Sequence, residues 1–374
     1  MTLRPETVGG RLARVRAHVQ GAGLDALVVT HLPNVQYLTG FAGSAGAALM
    51  LPRTCLLVVD FRYVTAATAL VAGLDGLVTL ATFERSYDEA LVDLLRREGT
   101  MRIGIEAAYL PVSRFNALSA GLAARSALPI ESYGSPPALV PTERLVERIR
   151  IVKDPREIAI LREAGRRLSA IAGTMARLVR PGRSELAIAA EIDAAMRESG
   201  FSRPAFETIV ASGPNSALPH ARPSARAVED GDPTVLDFGG VYDGYCVDLT
   251  RTVQVGPTSQ ALQKVYAAVG EAQQAAIRAV RPGVASSAID AAARSVLERH
   301  GLGDAFGHGT GHGLGLEIHE EPRITRPTPG LPDQVVEPGM VFTIEPGAYV
   351  PGLGGVRIED DVLVTQDGCE VLTR

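Results

Sequence analysis

The sequence predicts an α/β protein of two domains, the second of which contains an internal duplication. With 374 residues, the chain is longer than a single hydrophobic core usually supports. Helical and strand patterns alternate along the first part, whereas the second part contains two similar successions of helices and strands. We therefore expect a small α/β domain over residues 1–137 and a larger α+β domain over residues 138–374.

Apolar residues at helical spacing begin the first domain. Leu12, Val15 and Val19 share one face of a predicted helix over 11–21, and Gly21 is placed to end it. Further patterns predict strands over 25–30, 49–51 and 56–59, and helices over 84–97 and 113–124. The run Gly134-Ser-Pro-Pro continues neither element and predicts a hinge between the domains.

A repeated motif indicates duplication within the second domain. Val179-Arg-Pro-Gly precedes a predicted helix that ends at Gly200, and Val280-Arg-Pro-Gly precedes one that ends at Gly301. The offset is 101 residues in both cases (280 − 179 and 301 − 200), and a long helical pattern comes before each motif. We expect two halves related by a pseudo-two-fold. The alternative is chance, because Arg-Pro-Gly commonly ends helices.

Composition excludes several classes of protein. Lysine and arginine number 37 and aspartate and glutamate 42, so the net charge of −5 argues against a nucleic-acid-binding protein, which would carry a basic excess. No run of about 18 apolar residues is present to span a membrane, and the first residues lack the apolar core of a signal peptide. Three cysteines without a paired spacing do not form a disulfide framework. We expect a cytoplasmic protein.

Two aspartates are predicted to meet in a β-hairpin. Residues 234–240 form one strand, Tyr242-Asp243-Gly244 is a turn signal, and 245–255 form the return strand. A turn centred on Tyr242 and Asp243 would place Asp237 directly opposite Asp248. Like charges at that position repel, so the pair needs a positive charge between its members.

A second hairpin repeats this construction with glutamates. Residues 340–345 form a strand, Pro351-Gly352 lies at the midpoint of a turn, and residues 355–359 return. Glu345 then faces Glu359. A solvated strand residue is the alternative for any one of these acids, but four acids in one repeated construction favour a common centre at the pseudo-two-fold.

Histidines cluster between and before the hairpins. His308, His312 and His319 fall within twelve positions that are rich in glycine, and His220 lies in the segment before the first hairpin. A lone histidine would most often be structural. Glycine lets the backbone approach a ligand closely, so this cluster predicts a binding site.

The acids and one imidazole form an oxygen-rich ligand set for divalent metal. Such a set suits Mn²⁺, Co²⁺ or Zn²⁺, and four negative charges match two dications about 3.5–4 Å apart. Two ions that share a water lower its pKa and produce hydroxide near neutral pH, and they also polarise a carbonyl group. The sequence therefore predicts hydrolysis of an amide, an ester or a phosphoester.

The pattern of four acids and one histidine resembles that of the pita-bread metallopeptidases, which include methionine aminopeptidase, aminopeptidase P and prolidase. The five residues are Asp237, Asp248, His312, Glu345 and Glu359. Four motifs look like the Xaa-Pro branch of this family: Asp-Leu-Thr-Arg-Thr (248–252), His-Gly-Thr-Gly-His-Gly (308–313), Ile-Glu-Pro-Gly (344–347) and Val-Arg-Ile-Glu-Asp (356–360). The first domain is similar to that of creatinase, prolidase and aminopeptidase P. The resemblance implies a pita-bread fold for the second domain.

The resemblance also implies which residues bind the metals. Asp237 and Asp248 would hold one ion, and His312 would complete the shell of the other, with Asp248 and Glu359 bridging the two. Glu345 would be both a ligand and the group that moves a proton from the attacking water to the leaving amine. Creatinase shares the fold but lacks this metal set, which argues against creatine hydrolysis.

Further side chains would contact the substrate. The resemblance implies that His220 and His319 stabilise the oxyanion, that His308 lines the pocket for the residue after the cleaved bond, and that Arg357 orients the acidic ligands. Arg323 could hold a substrate carboxylate and so favour dipeptides; the alternative is a surface arginine.

The function implied by the resemblance is cleavage of the peptide bond before proline, with Mn²⁺ preferred and Co²⁺ or Zn²⁺ as alternatives, in a homodimer that takes proline-containing peptides. A catalytically silent binding scaffold of the same fold and a two-metal aminopeptidase of another specificity, such as one for N-terminal methionine, are the competing hypotheses. The choice between dipeptidase and aminopeptidase stays open, because both use the same catalytic groups.

Overall fold

The computed structural model describes residues 3–124, 137–175, 177–330 and 332–374. The chain divides into a first unit, Met1–Arg150, and a second unit, Ile151–Arg374. This division falls after the expected boundary at 137/138, because the strand Ala138–Thr142 pairs with Arg102–Glu106 in the sheet of the first unit. Most of the predicted hinge at Gly134-Ser-Pro-Pro lies outside the described residues.

The first unit is a six-stranded sheet with helices, as the alternating pattern predicts. Its strand order is β4-β3-β2-β1-β5-β6, with β2 antiparallel to both β1 and β3 and the remaining neighbours parallel. The strands are β1 (Ala26–Val29), β2 (Ala47–Met50), β3 (Cys55–Val59), β4 (Val78–Thr82), β5 (Arg102–Glu106) and β6 (Ala138–Thr142), and the helices are α1 (Pro5–Gly21), α2 (Leu32–Thr39), α3 (Val64–Ala72), α4 (Tyr87–Arg97), α5 (Val112–Ala123) and α6 (Glu147–Arg150).

Helix α4 shows how local sequence sets an element. Ser86 caps its N-terminus by accepting a hydrogen bond from the backbone N–H of Glu89 at 3.2 Å. Leu91, Val92 and Leu95 form its buried face, and the central strands β1, β2 and β3 against which this core forms are buried along their whole length. Burial of these apolar side chains is the main stabilising contribution.

The second unit combines long helices with three sheets. Strands β9 and β10 form a hairpin that β7 and β8 extend on the β9 side, a five-stranded sheet has the order β12-β11-β13-β16-β17, and β14 pairs with β15 in a two-stranded ribbon. The helices are α7 (Pro155–Met175), α8 (Glu185–Glu198), α9 (Gln260–Ala279) and α10 (Ser286–Arg299), and the strands are β7 (Arg203–Pro204), β8 (Ile209–Ser212), β9 (Pro233–Tyr242), β10 (Tyr245–Gln254), β11 (Gly311–Gly313), β12 (Glu320–Ile324), β13 (Val341–Ile344), β14 (Gly347–Val350), β15 (Gly354–Arg357), β16 (Asp360–Val364) and β17 (Cys369–Val371).

The core of the second unit supports the acid-bearing strands. Val269 of α9 and Ile289 and Ala293 of α10 pack with Phe342 of β13 and Val362 of β16 in one buried cluster. Among the helices of the described residues, none is long and apolar enough to cross a membrane.

The predicted duplication is visible in equivalent elements. Helices α8 and α10 begin 101 residues apart, at Glu185 and Ser286, and also end 101 residues apart. The backbone N–H of Gly182 donates to the carbonyl of Val228, and the N–H of Gly283 donates to the carbonyl of Val336, both at 2.9 Å. The same junction, between the residues before a helix and the segment that leads to an acid-bearing strand, therefore occurs once in each half.

The register of the first hairpin differs from the expected one. Its turn is Asp243-Gly244, both with positive φ (47° and 90°), as a two-residue hairpin turn requires. Asp237 therefore pairs with Thr250 and Asp248 pairs with Gly239, so the prediction that the two aspartates face each other directly was wrong. Because Asp248 lies two residues from Thr250, both aspartates still point to the same face of the hairpin.

The register of the second ribbon agrees with the expected one. Gly347 of β14 pairs with Arg357 of β15, and Ile344 of β13 pairs with Asp360 of β16. The two ladders share one register about the same turn. Glu345 therefore lies opposite Glu359 in the gap between the two ladders.

Candidate active site

A cavity of about 600 Å³ lies within the second unit, a size typical of small-molecule sites. Every side chain that the sequence analysis assigned to the site borders this cavity. The ten residues are Asp237, Asp248, His312, Glu345, Glu359, His220, His319, His308, Arg323 and Arg357. Phe206, Ile209 and Ile318 add an apolar wall, so the cavity offers both charged and apolar contacts to a ligand.

Three of the ten form a compact, buried group suited to a metal ion. Ligand atoms of Asp248, His312 and Glu359 all lie within 4.8 Å of one another. Asp248 comes from β10, His312 from β11 and Glu359 from the link between β15 and β16, so the group joins strands of different sheets. The tertiary fold thus brings the two acid-bearing hairpins and the histidine segment to one place.

The orientation of His312 leaves one nitrogen free to bind a cation. Its Nδ1 lies 3.1 Å from the carbonyl oxygen of Gly313, which can only accept, so the proton is assigned to Nδ1. The lone pair of Nε2 then faces Oε1 of Glu345 at 3.4 Å and Oδ2 of Asp248 at 4.0 Å. Burial lowers the pKa of His312 to about 3, so the ring is neutral at physiological pH.

The acidic groups carry buried oxygens that a cation would satisfy. Among the residues that the structure describes, Oδ1 of Asp248 and Oε1 of Glu359 have no hydrogen-bond partner. Burial, followed by neighbouring carboxylates, raises the pKa of both groups well above the usual range, and burial raises the pKa of Glu345 to about 7. Unpartnered buried oxygens are costly, and this donor set fits divalent metal.

Arg357 contacts four groups around the acids. Its Nη2 pairs with Oδ2 of Asp237, its Nη1 donates to the hydroxyl of Tyr349 at 2.8 Å and to the carbonyl of Pro219 at 3.2 Å, and its Nε donates to Oγ1 of Thr250 at 3.2 Å. The side chain is buried. A planar guanidinium can hold several partners at once in a fixed geometry, as a lysine cannot.

The other histidines surround the acids at different depths. Nε2 of His308 lies 3.0 Å from the hydroxyl of Tyr349, and burial lowers the pKa of His308 to about 4. The His319 ring packs edge-on against His312 with centroids 4.3 Å apart. His319, His220 and Arg323 are exposed, whereas the acids other than Glu345 are buried. The exposed groups therefore border the side that a substrate would enter.

Two family models match the chain. The model of metallopeptidase family M24 matches residues 159–366, and that of the creatinase/prolidase N-terminal domain matches residues 11–152. An Xaa-Pro dipeptidase of Pyrococcus horikoshii is 33% identical over 353 residues, which are 94% of this chain and 93% of that protein. The chain belongs to metallopeptidase family M24.

Solved structures extend the similarity of this M24 peptidase to the whole chain. An Xaa-Pro dipeptidase from Bacillus anthracis has a TM-score of 0.89 at 36% identity, with 98% of each chain covered. An X-Pro aminopeptidase from Thermotoga maritima has a TM-score of 0.83 at 33% identity, with 96% of this chain and 97% of that chain covered. The two-domain fold with a pita-bread catalytic domain is therefore confirmed, as is a function that depends on divalent metal.

Sequence reasoning missed three residues that support the site of the M24 peptidase. Thr343 donates to Glu345 at 3.2 Å and accepts from the backbone N–H of His312 at 3.0 Å, and Thr250 donates to Glu359 at 2.5 Å. Tyr349 joins His308 to Arg357. Thr250 lies within the motif Asp-Leu-Thr-Arg-Thr (248–252), but nothing in the sequence shows where a hydroxyl points.

Proposed function

We propose that this M24 peptidase cleaves the peptide bond that precedes proline, using two divalent ions held by Asp237, Asp248, His312, Glu345 and Glu359. The observation that carries the proposal is the buried Asp248–His312–Glu359 group in a cavity that the other predicted side chains also border. The substrate class comes from the Xaa-Pro peptidases to which the chain is similar along nearly its whole length.

The ligands divide between the two ions in this proposal. Asp237 and Asp248 would hold one ion and His312 and Glu345 the other, with Asp248 and Glu359 as ligands that the two ions would share. When bound, the ions supply Lewis acidity toward the substrate carbonyl and lower the pKa of the attacking water. Arg357 fixes the orientation of Asp237 so that one carboxylate oxygen stays turned toward the site.

Glu345 moves the proton that the reaction requires. Glu345 borders the cavity in which the water attacks, and a carboxylate can take a proton as a base and return it as an acid. Glu345 takes a proton from the attacking water as the C–O bond forms. It then delivers that proton to the proline nitrogen as the C–N bond breaks, which releases proline as a secondary amine.

The histidines act on the substrate itself. His220 and His319 donate hydrogen bonds to the carbonyl oxygen as negative charge develops there. His308, beside Tyr349, contacts the proline ring, and Arg323 pairs with the carboxylate of a dipeptide. Proline suits such a pocket because its amide nitrogen carries no hydrogen, so no donor is left unpaired there.

The decisive experiment measures release of the N-terminal residue from an Xaa-Pro dipeptide and from an Xaa-Pro-Xaa tripeptide by the purified protein, because cleavage before proline frees that residue from both substrates. Activity should disappear after chelation and return with Mn²⁺, and an Xaa-Ala dipeptide serves as the control substrate. Hydrolysis that continues in chelator would contradict the metal-dependent mechanism. Full metal content without hydrolysis of any peptide would favour the silent scaffold, and preference for an N-terminal methionine peptide would favour another specificity.

Manganese as the native metal, the homodimer and the cytoplasmic location belong to the same proposal. Elemental analysis of protein purified without added metal tests the first, and light scattering during gel filtration tests the second. Fractionation of the source cells tests the third. The ratio of dipeptide to tripeptide hydrolysis separates the dipeptidase from the aminopeptidase.

A further inference from the structure

The segment 212–224, which carries His220, is held at both ends by one buried carboxylate. Glu185, the first residue of α8, is 0% exposed. Its Oε1 accepts from the backbone N–H and hydroxyl of Ser212 at 2.7 and 2.8 Å, and its Oε2 accepts from the backbone N–H and hydroxyl of Ser224 at 3.0 and 2.6 Å. Asn215 donates to both oxygens, at 3.0 and 3.1 Å. One side chain thus contacts both ends of the segment.

These donors keep Glu185 ionised within the protein. Burial acts to raise the pKa of Glu185, but hydrogen bonds from Ser224, Ser212 and Asn215 hold the pKa below its usual range. Hydrogen bonds to a charged group are stronger than those between neutral groups. The negative charge is therefore part of what holds the two ends together.

His220 depends on this backbone for its position. The ring makes no hydrogen bond within the described part of the chain, and it is exposed to the cavity. The preceding carbonyl, that of Pro219, accepts from Nη1 of Arg357 at 3.2 Å. The loop is therefore fixed at its base by Glu185 and beside the histidine by Arg357. These two contacts set the position of the His220 ring.

The other half of the duplication lacks this buried clamp at the equivalent position. There, Ser286 begins α10 and donates to Asp333 at 3.0 Å, with the acid on the connecting segment and exposed to solvent. The pocket histidine of that half, His308, is held instead by Arg294 of α10, which donates to its carbonyl oxygen at 2.9 Å. The buried acid of that half is Asp290 of α10, which pairs with Arg294 and accepts from the backbone N–H and hydroxyl of Thr310 at 3.2 and 2.8 Å.

We propose that Glu185 is a positioning residue for His220. By contacting both ends of the segment 212–224, it sets the distance between the imidazole and the carbonyl oxygen of the substrate. The proposal rests on the role given to His220 under the proposed function. Loss of the Glu185 charge should lower the rate of the chemical step, while substrate affinity and metal content stay unchanged.

The test variant is Glu185→Gln, which keeps the shape but turns one acceptor oxygen into an NH₂ group facing N–H and O–H donors. Removal of one oxyanion donor costs about 10²–10³ in kcat, and partial displacement of His220 should cost about 10–100-fold with KM within about two-fold. His220→Ala should lower kcat further. The double variant should match His220→Ala alone, because residues that act through one group are not additive.

Two further measurements separate positioning from general damage. Asp333→Asn changes the equivalent junction of the other half and should retain wild-type kcat and KM. The ¹³C-labelled imidazole signal of His220, assigned by its loss in His220→Ala, should shift or broaden in Glu185→Gln and not in Asp333→Asn. This spectrum is recorded on the full chain loaded with diamagnetic Zn²⁺, so it does not depend on the substrate.

The outcomes distinguish this proposal from the proposed function. If the wild type cleaves no Xaa-Pro peptide but the His220 signal moves in Glu185→Gln, the proposed function fails and the positioning stands. An unchanged His220 signal, a fully active Glu185→Gln variant, or losses that simply multiply in the double variant overturn the positioning. If Glu185→Gln does not fold, Ser224→Ala replaces it in the same comparison. Ser224→Ala removes one hydrogen bond to Oε2 of Glu185, so the expected loss of kcat is smaller.

Discussion

Nε2 of His312 lies 3.4 Å from Oε1 of Glu345. The imidazole proton is assigned to the other ring nitrogen, Nδ1, which donates to the carbonyl oxygen of Gly313. A neutral ring nitrogen and a carboxylate oxygen both offer lone pairs, so they can approach only around a proton or a cation. Protons and metal ions therefore compete for this position.

The first prediction concerns the pH dependence of metal affinity. Glu345 must lose its proton to bind metal, and its pKa in the metal-free protein is about 7, whereas His312, with a pKa of about 3, is already neutral. Affinity for Mn²⁺ should fall about tenfold per pH unit below 7 for each proton displaced. Calorimetry in two buffers of different ionisation enthalpy should show proton release, which Glu345→Gln should reduce. An affinity independent of pH between about 5 and 7 would exclude this competition.

The second prediction concerns Glu359→Gln. In the metal-free protein, burial and the charges of Glu345 and Asp237 raise the pKa of Glu359, so the folded state opposes its ionisation. A raised carboxyl pKa lowers stability as pH rises above the usual glutamate value of about 4.3. The metal-free variant should therefore be more stable than the wild type near pH 8, by about 1–3 kcal/mol, and the difference should shrink toward pH 4.5.

Thermal unfolding with and without Mn²⁺ checks this second prediction. Metal should raise the Tm of the wild type and have little effect on Glu359→Gln, because the variant lacks a ligand. A metal-free variant less stable than the wild type at pH 8 would show that Glu359 stabilises the fold by itself.

The third prediction separates the geometry of Arg357 from its charge. Arg357→Lys keeps the charge but cannot reach Asp237, Tyr349 and Thr250 at once, so kcat should fall about 100-fold and the free energy of unfolding by about 2–4 kcal/mol. Arg162→Lys is the matched control, because its partner Glu370 and Arg162 itself are exposed. Arg162→Lys should change the free energy of unfolding by no more than about 0.5 kcal/mol. Equal effects in denaturant titrations of the two variants would contradict the argument.

The fourth prediction concerns the close packing beside His312. A Cβ built on Gly311 would lie 1.9 Å from the carbonyl oxygen of Thr343, whereas one on Gly307 meets nothing within 4 Å. Gly311→Ala must displace β11 and with it His312, so it should lower both stability and metal content, the former by about 1–3 kcal/mol or more. Gly307→Ala should resemble the wild type in Tm and in metal content measured by elemental analysis. Normal metal content in Gly311→Ala would mean that the strand tolerates the shift.

The fifth prediction tests Arg323 as the carboxylate-binding group. Arg323→Met should raise KM for an Xaa-Pro dipeptide about tenfold, because charge-assisted hydrogen bonds to the substrate carboxylate are lost, and should leave KM for the corresponding Xaa-Pro amide unchanged. Arg326→Met is the control, since that arginine is exposed but does not border the cavity. Equal changes for dipeptide and amide would assign Arg323 to another role.

The sequence by itself determined the elements and the chemistry. Apolar periodicity placed α4 and the long helices, because burial of one face depends on local spacing. The repeated Val-Arg-Pro-Gly motif located both halves of the duplication, since helix ends depend on local residues. The recurrence of acids in two hairpins predicted which groups we propose as metal ligands, and three of the predicted ligands lie together in the structure.

Only the tertiary structure decided how these groups meet. The Asp243-Gly244 turn moved the register by two residues, so Asp237 pairs with Thr250 and not with Asp248. The boundary between the units follows from the pairing of β5 with β6, which no local pattern records. The clamp formed by Glu185 joins residues distant in sequence. Strand pairing and buried hydrogen bonds depend on which surfaces come together in the folded chain. Local sequence patterns do not specify these long-range contacts.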